Sequence, residues 1–352
     1  MARKILLLSA YDTYSHRYWR ECLSQMFPDD QIISLHLPDR YFSWRERGNA
    51  LSFFGRDLDV LQEGYDLVIA TSMVNLACLK GLVPGLAAVP SFVYFHENQF
   101  AFPGESPAHV SARLTSIYTY LAADRVAFNS RWNRDSFFSG AQNFLRKMPD
   151  FVPKGLIESM KRACTLLPVP IPTLEARWES AQIPLIIWNH RLEHDKGPEG
   201  LYECLVELKR AGFGFELALL GPRYRQCPEA FRKIRQEFSS HLVHDRFVEE
   251  RQEYLSWLRR GHIVVSSSHQ EFQGLSVLEA VSSGCIPVLP NRLAYPEYIP
   301  HEFLYPEQSN EGLAMARLVM QLWDRYKELP PIVDLEAFKL DTLKSSYHVW
   351  LG

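Results

Sequence analysis

The chain has 352 residues, of which 47% are hydrophobic, 22% charged and 13% aromatic, with a net charge of −3. That balance excludes a disordered chain, and the length predicts two domains at roughly 150 residues each. The slight acidity excludes nucleic-acid binding through a general positive field, while leaving room for a local basic patch.

The opening MARKILLLSAYD has an apolar run of only about six residues before an Asp, which reads as a first strand at Ile5–Leu8 and not as a secretion signal. A polar loop over Tyr11 to His16 leads into a helix from Arg17 to Met26, with a second strand at Ile32–Leu35. A helical period over Asn49–Gln62 precedes strands at Leu67–Ala70 and Ser91–Phe95, a helix at Ser111–Ala122 and a strand at Arg125–Phe128. The apolar stretch Leu82–Phe95 is interrupted by Pro84, Gly85 and Pro90, and falls short of the roughly 20 residues a membrane span needs. Strands alternating with helices predict parallel pairing in a doubly wound α/β domain.

Pro168, Pro170, Pro172 and Pro184 punctuate residues 165–184, which can continue neither a helix nor a central strand. The expected domains are therefore 1–168 and 184–330, joined by a proline-rich linker at 169–183. Beyond the linker the alternation resumes. Strands are expected at Leu185–Trp188, Phe215–Leu220, Ile263–Ser266 and Ile286–Leu289, with a short run at Leu242–His244. Helices are expected at Pro198–Ala211, Glu229–Phe238, Gln252–Arg260 and Leu275–Ser282, and residues 331–352 should pack back as one or two helices. Six scattered cysteines without a CxxC pair predict reduced, mostly packed thiols in a cytoplasmic protein.

In open parallel sheets, ligands bind beyond the carboxyl ends of the strands, so the residues there carry the functional signal. The strongest is SSSHQEFQGLSVLEAVSSGCIPV at 266–288, where Glu271 and Glu279 stand eight apart around Gly274. A glycine before a helix admits a ligand to the backbone, and the free amides of Leu275 and Ser276 favour an anion such as a diphosphate. Carboxylates beside phosphates would repel them, so Glu279 is assigned to a ribose and Glu271 to the transferred sugar. The second signal is IIWNHRLEHDKG at 186–197, where Arg191 and Lys196 suit a diphosphate leaving group. His190 beside them, and Gly221 after the following strand, complete the donor-side set. The third is SFVYFHENQFAFP at 91–103: His96, with Glu97 and Asn98, forms a polar cluster expected to contact sugar at the reaction centre. Ser15 and His16 precede a helix, so Ser15 serves either as its cap or on the acceptor side.

Other matches carry less. Asp57-Leu58-Asp59 resembles a metal-binding DxD but lies in a helical period, and Gly212-x-Gly214 has the wrong order of elements for a dinucleotide fingerprint. No metal site is expected.

The Glu271–Gly274–Glu279 spacing with Arg191 and Lys196 resembles the donor site of retaining GT-B glycosyltransferases. More narrowly, LPDRYFSWRERGNAL, YFHENQFAFP, VAFNSRWNRDSF, HRLEHDKGPE and HQEFQGLSVLEAVSSGCIPV resemble the glycosyltransferase-like domain-containing family, whose characterised members are tRNA-queuosine α-mannosyltransferases. The resemblance implies two facing Rossmann-like domains with a cleft between them, and GDP-mannose as the donor without a metal. The acceptor it implies is queuosine in the anticodon of tRNA-Asp. It places the diphosphate on Arg191 and Lys196, the ribose on Glu279, the mannose and phosphate on Glu271 and the Gly274–Ser276 backbone, and His96 near the reacting carbon. Thr13-Tyr14 and Asn189 depart from the family pattern, and a lipid, glycan or small-molecule acceptor is the alternative. Two basic stretches interleaved with aromatics are compatible with RNA: Arg40, Arg45 and Arg47 with Tyr41 and Trp44, and Arg146, Lys147, Lys154, Lys161 and Arg162 with Phe144 and Phe151.

Overall fold

The computed structural model describes residues 2–104, 106–174, 180–222 and 227–352, so part of the expected linker lies outside the described residues. The chain divides into two compact units, residues 1–170 with 340–352, and residues 171–339.

The first unit opens β1 (Lys4–Ser9), α1 (Tyr14–Met26), β2 (Gln31–His36), α2 (Phe42–Leu61), β3 (Leu67–Thr71), α3 (Leu76–Leu82) and β4 (Ser91–Phe95). It continues through α4 (Pro107–Leu121), β5 (Arg125–Phe128), α5 (Arg131–Leu145), α6 (Leu156–Arg162) and β6 (Cys164–Leu166). The strands form one parallel sheet in the order β2-β1-β3-β4-β5-β6. β3 and β4 are buried along their whole length, as continuous apolar runs covered by helices on both faces should be.

The second unit contains β7 (Leu185–Trp188), α7 (Pro198–Arg210), β8 (Glu216–Leu219), α8 (Glu229–Glu237), β9 (Leu242–Asp245), α9 (Arg251–Arg260) and β10 (Ile263–Val265). Then come α10 (Leu275–Ser282), β11 (Ile286–Pro290), β12 (Leu304–Tyr305) and α11 (Glu311–Tyr326). Its parallel sheet runs β12-β11-β10-β7-β8-β9.

The last helix, α12 (Leu340–Leu351), belongs to the first unit. Tyr347 receives a hydrogen bond from Trp19 Nε1 at 3.0 Å and donates to the Pro168 carbonyl at 2.9 Å. Its final carbonyls accept from Arg3 (2.7 Å to Leu351) and Arg125 (2.7 Å to Trp350), which favours the negative end of a helix. Burying Tyr347 and Trp350 adds roughly 1.5–3 kcal/mol for each large side chain.

Several expected bounds shift. α1 begins at Tyr14 and not at Arg17, because Thr13, in extended conformation, is the residue before the helix. Ser15 is therefore inside the first turn and caps nothing. α2 starts at Phe42, seven residues before Asn49, and Asp57 marks a kink inside it. All six cysteines are free, and only Cys22, Cys204 and Cys285 are buried.

Candidate active site

In the second sheet the strand order reverses between β7 and β10, the place where open α/β sheets bind ligands. The chain leaves β7 through Asn189, His190 and Arg191, and leaves β10 through Ser266 to Ser268. Buried His190 places Nε2 2.9 Å from Ser266 Oγ, which also meets Tyr295 Oη at 2.9 Å. Burial, aided by the Lys196 charge, pulls His190 down to about 4, so its ring is neutral at pH 7. Gly221 closes this corner from the β8 side. A Cβ there would sit 1.7 Å from the His190 carbonyl oxygen, so no larger residue fits.

Lys196 is only 7% exposed. Its Nζ donates to the Gln270 carbonyl at 2.6 Å and to Glu271 Oε2 at 3.2 Å, with Asp195 Oδ2 at 3.4 Å. Burial pushes the Glu271 carboxyl up, but Lys196 together with His190 and Arg191 outweighs burial and holds it below its usual range. Glu271 Oε1 accepts from the amides of Phe272 (3.3 Å) and Gly274 (3.2 Å), which fixes the turn into α10. Gly274 has φ +79°, a conformation that side chains disfavour, and stands immediately before the helix. The first-turn amides of Leu275 and Ser276 have no acceptor inside the helix, and no acidic residue occupies that turn. Amides, helix dipole and buried lysine together favour an anion.

Glu279 is 3% exposed and engaged at both oxygens. Arg251 Nη2 donates to Oε1 at 2.6 Å, and Tyr254 Oη to Oε2 at 3.2 Å. Asn189 Nδ2 reaches Tyr254 Oη at 3.1 Å and the Ser276 carbonyl at 2.6 Å, tying β7 to α10. Burial outweighs Arg251 and raises the Glu279 carboxyl. Arg191, half-exposed, pairs with Glu193 at 3.1 Å and Asp195 at 3.6 Å, and its charge also acts on Glu271 and His190. The structure gathers His190, Lys196, Gly221, Glu271, Gly274 and Glu279 around this reversal, and adds Arg251, Tyr254, Ser266 and Tyr295, which sequence reasoning missed. Arg251 reads as a solvated helix residue, and its partner lies 28 positions away.

The first sheet gathers the other cluster. Its order reverses between β1 and β3, and His16, Ser72 and Glu97 follow β1, β3 and β4 there. Glu97 bridges them, accepting from Ser72 Oγ at 2.8 Å while Oε2 lies 3.1 Å from His16 Nε2. Ser9 Oγ meets the other His16 nitrogen at 3.3 Å. The His16 ring stacks on His96 with centroids 4.1 Å apart, and Trp19 and Tyr94 wall His96 edge-on. Burial, then the His16 charge, pulls His96 well below the usual histidine range, so it is neutral. His96 Nε2 has no hydrogen-bond partner among the described residues.

Asn98 departs from expectation. It is 1% exposed, its Nδ2 reaches Asn133 and Ser136, and its Oδ1 accepts from Phe100 and Ala101 amides. Every polar atom of its side chain is engaged in holding the loop, so Asn98 positions the cluster and offers nothing to an acceptor. Asn129 and Asn133 extend this bracket to the carbonyls of His96 and Phe95, both at 2.8 Å. Ser15 Oγ meets only Thr13 Oγ1, at 3.0 Å, among the described contacts. The basic stretch around Arg146 and Lys154 borders a groove of about 530 Å³, but Asp150 and Glu158 share its lining and Phe144 is buried in the core.

Two six-stranded parallel sheets, each with its polar residues collected at a reversal of strand order, define a glycosyltransferase of GT-B fold. A sucrose-phosphate synthase from Thermosynechococcus elongatus matches 99% of the chain and 98% of its own, with TM-score 0.70 at 15% identity. Anabaena HepE in complex with UDP-glucose matches 99% of each chain, with TM-score 0.70 at 13% identity. At these identities the likeness is one of fold. Residues 183–323 match the glycosyl transferases group 1 family, and residues 4–171 the tRNA-queuosine alpha-mannosyltransferase N-terminal family. The chain is 37% identical over 291 residues to the tRNA-queuosine alpha-mannosyltransferase of Drosophila melanogaster, which covers 79% of this chain and 76% of that one. It belongs to the tRNA-queuosine alpha-mannosyltransferase family.

Proposed function

We propose that this enzyme transfers mannose from GDP-mannose to queuosine in the anticodon of tRNA-Asp, with retention of configuration, in the cytoplasm. The observation that carries this reading is the family match spanning residues 4–171, joined to a donor half whose cation and helix amides suit a diphosphate. Lys196, Arg191 and the amides of Leu275 and Ser276 stabilise the leaving diphosphate as its charge grows. The reaction proposed needs no metal for that task. Glu271 accepts hydrogen bonds from sugar hydroxyls, and Glu279 from the ribose.

The acceptor hydroxyl attacks the anomeric carbon from the face the phosphate leaves. The carbon–phosphate-oxygen bond breaks as the new glycosidic bond forms, and the hydroxyl proton passes to the leaving phosphate oxygen. No second carboxylate is required, in contrast to paired-acid hydrolysis. Neutral His96, whose buried Nε2 lacks a partner among the described residues, contacts the sugar near that carbon, while Glu97 and His16 serve the acceptor side. Incubation with GDP-mannose and queuosine-containing tRNA-Asp should add one hexose to the modified nucleoside, read by mass spectrometry. Transfer only from a UDP- or ADP-sugar would overturn the donor, and no mass gain from any donor would overturn the acceptor.

A further inference from the structure

We propose that the exposed segment 40–47, which follows β2, is a stacking platform for unpaired bases of the RNA acceptor. This rests on the tRNA reading above and identifies the surface that holds the rest of the loop.

Position comes first. β2 pairs in parallel with β1, Ser9 opposite His36, so the segment leaves the same sheet edge as the loop bearing His16. Leu37 and Ser9, then Asp12 and Leu37, are stitched by backbone hydrogen bonds of 2.9 and 3.0 Å. The Phe42 ring meets Tyr11 edge-on at 5.4 Å, which joins the segment directly to the approach to His16.

The rings are presented and not packed away. Tyr41 is 72% exposed and Trp44 51% exposed. A Cβ at Gly48 would lie 2.6 Å from the Trp44 ring, so the indole rests against bare backbone one helical turn on and is held in place while half its surface stays open. Tyr41 adopts φ +57°, a left-handed conformation disfavoured for any residue with a side chain. Its carbonyl accepts from the Trp44 and Arg45 amides, so α2 starts from this constrained residue with the ring in solvent. Neither feature contributes to a core.

The charge identifies the occupant. Residues 40–47 contain three arginines against one glutamate in a chain of net charge −3. Arg45 and Arg47 donate to the carbonyls of Pro38 and Ser43, and the Arg40 guanidinium lies 5.7 Å from the Tyr41 ring. Among the described residues no carboxylate forms an ion pair with any of the three. Flat open rings alternating with guanidinium groups, in a segment with a surplus of positive charge, match splayed bases on a phosphate backbone, the form in which RNA loops are recognised.

The test is binding of an anticodon stem-loop RNA without queuosine, measured by fluorescence anisotropy, so that transfer is not needed for the readout. Y41A/W44A is expected to weaken binding about tenfold or more, with Y41F/W44F restoring most of it. R40A/R47A is expected to flatten the dependence of log affinity on log salt by about one to two units. The circular dichroism spectrum and the urea-unfolding midpoint should match wild type in all of these variants and report that they remain folded. A folded Y41A/W44A variant that binds the stem-loop within twofold of wild type overturns the platform while leaving the tRNA reading intact. A wild-type enzyme that neither binds the stem-loop nor modifies tRNA overturns the tRNA reading, and the platform with it.

Discussion

Replacing Arg251 with methionine removes the cation beside a buried acid and so probes how the donor half is held. Glu279 is 3% exposed, and Arg251 Nη2 approaches it to 2.6 Å from a side chain one-third open to water. Removing one partner of a fully buried pair costs about 3–5 kcal/mol; solvent screening at the open arginine discounts that to about 2–3 kcal/mol. Tyr254 stays in place at 3.2 Å and keeps one oxygen satisfied.

The pH dependence separates this cause from lost packing. Burial already holds the Glu279 carboxyl above its usual range, and losing Arg251 raises it further. The folded protein then keeps the proton at a pH where the unfolded chain has released it, so stability falls as pH rises through that window. Within the window each pH unit changes stability by at most about 1.4 kcal/mol. The Arg251→Met penalty, measured by urea unfolding, should be largest at pH 8 and shrink by about half or more at pH 5. Adding Glu279→Gln should recover most of it at pH 8, because a neutral amide leaves no charge in the interior. An equal penalty at both pH values, or a double variant no better than the single, refutes the carboxylate as its source.

Gly221→Ala places a methyl 1.7 Å from the His190 carbonyl, so a loss of about 3 kcal/mol or more is expected in the same unfolding assay; a loss under about 1 kcal/mol would mean the corner can open. His190, lowered to about 4, binds its proton more weakly folded than unfolded. Its contribution is therefore complete above about pH 6.5 and fades as pH falls toward 4, a change of about 3 kcal/mol that His190→Gln should remove from the acid limb. Lys196→Met deprives Glu271 of its 3.2 Å partner and the donor of a buried cation, so calorimetric affinity for GDP should fall about tenfold or more. Unchanged affinity would take Lys196 out of diphosphate binding. His96→Ala should lower kcat about a hundredfold while GDP affinity, set by the second unit, stays within twofold; equal losses in both would mark His96 as structural.

Both sheets were legible because parallel strands buried on two faces read as apolar runs, as in ILLL of β1 and LVIA of β3. The Glu271–Glu279 segment was legible as a loop entering a helix because its signal is local: Glu271, Gly274 and Glu279 lie within one loop and helix. α3, α5, α6 and α11, and the strands β6 and β12, were not anticipated. In α5, Asn133, Arg134, Asp135 and Ser136 break the apolar period, while its start depends on Ser130 accepting from the Asn133 amide at 3.0 Å. That helix matters to the histidines, since Asn133 holds the Phe95 carbonyl 38 positions away. Arg251 with Glu279, and α12 with Trp19, follow the same rule: partners distant in sequence leave no periodicity to read.

The same topological device serves both halves with different side-chain chemistry. At the reversal between β7 and β10, a lysine, two first-turn amides and a glycine turn leave a positive spot, and the acids beside it are ion-paired: Glu271 to Lys196 and Glu279 to Arg251. At the reversal between β1 and β3, Glu97 is held by Ser72 and His16. Burial at His96 and His190 reinforces the division, because a neutral imidazole at each reversal adds no charge to either side. The difference between the two clusters arises from which residues end the strands and not from the sheets themselves.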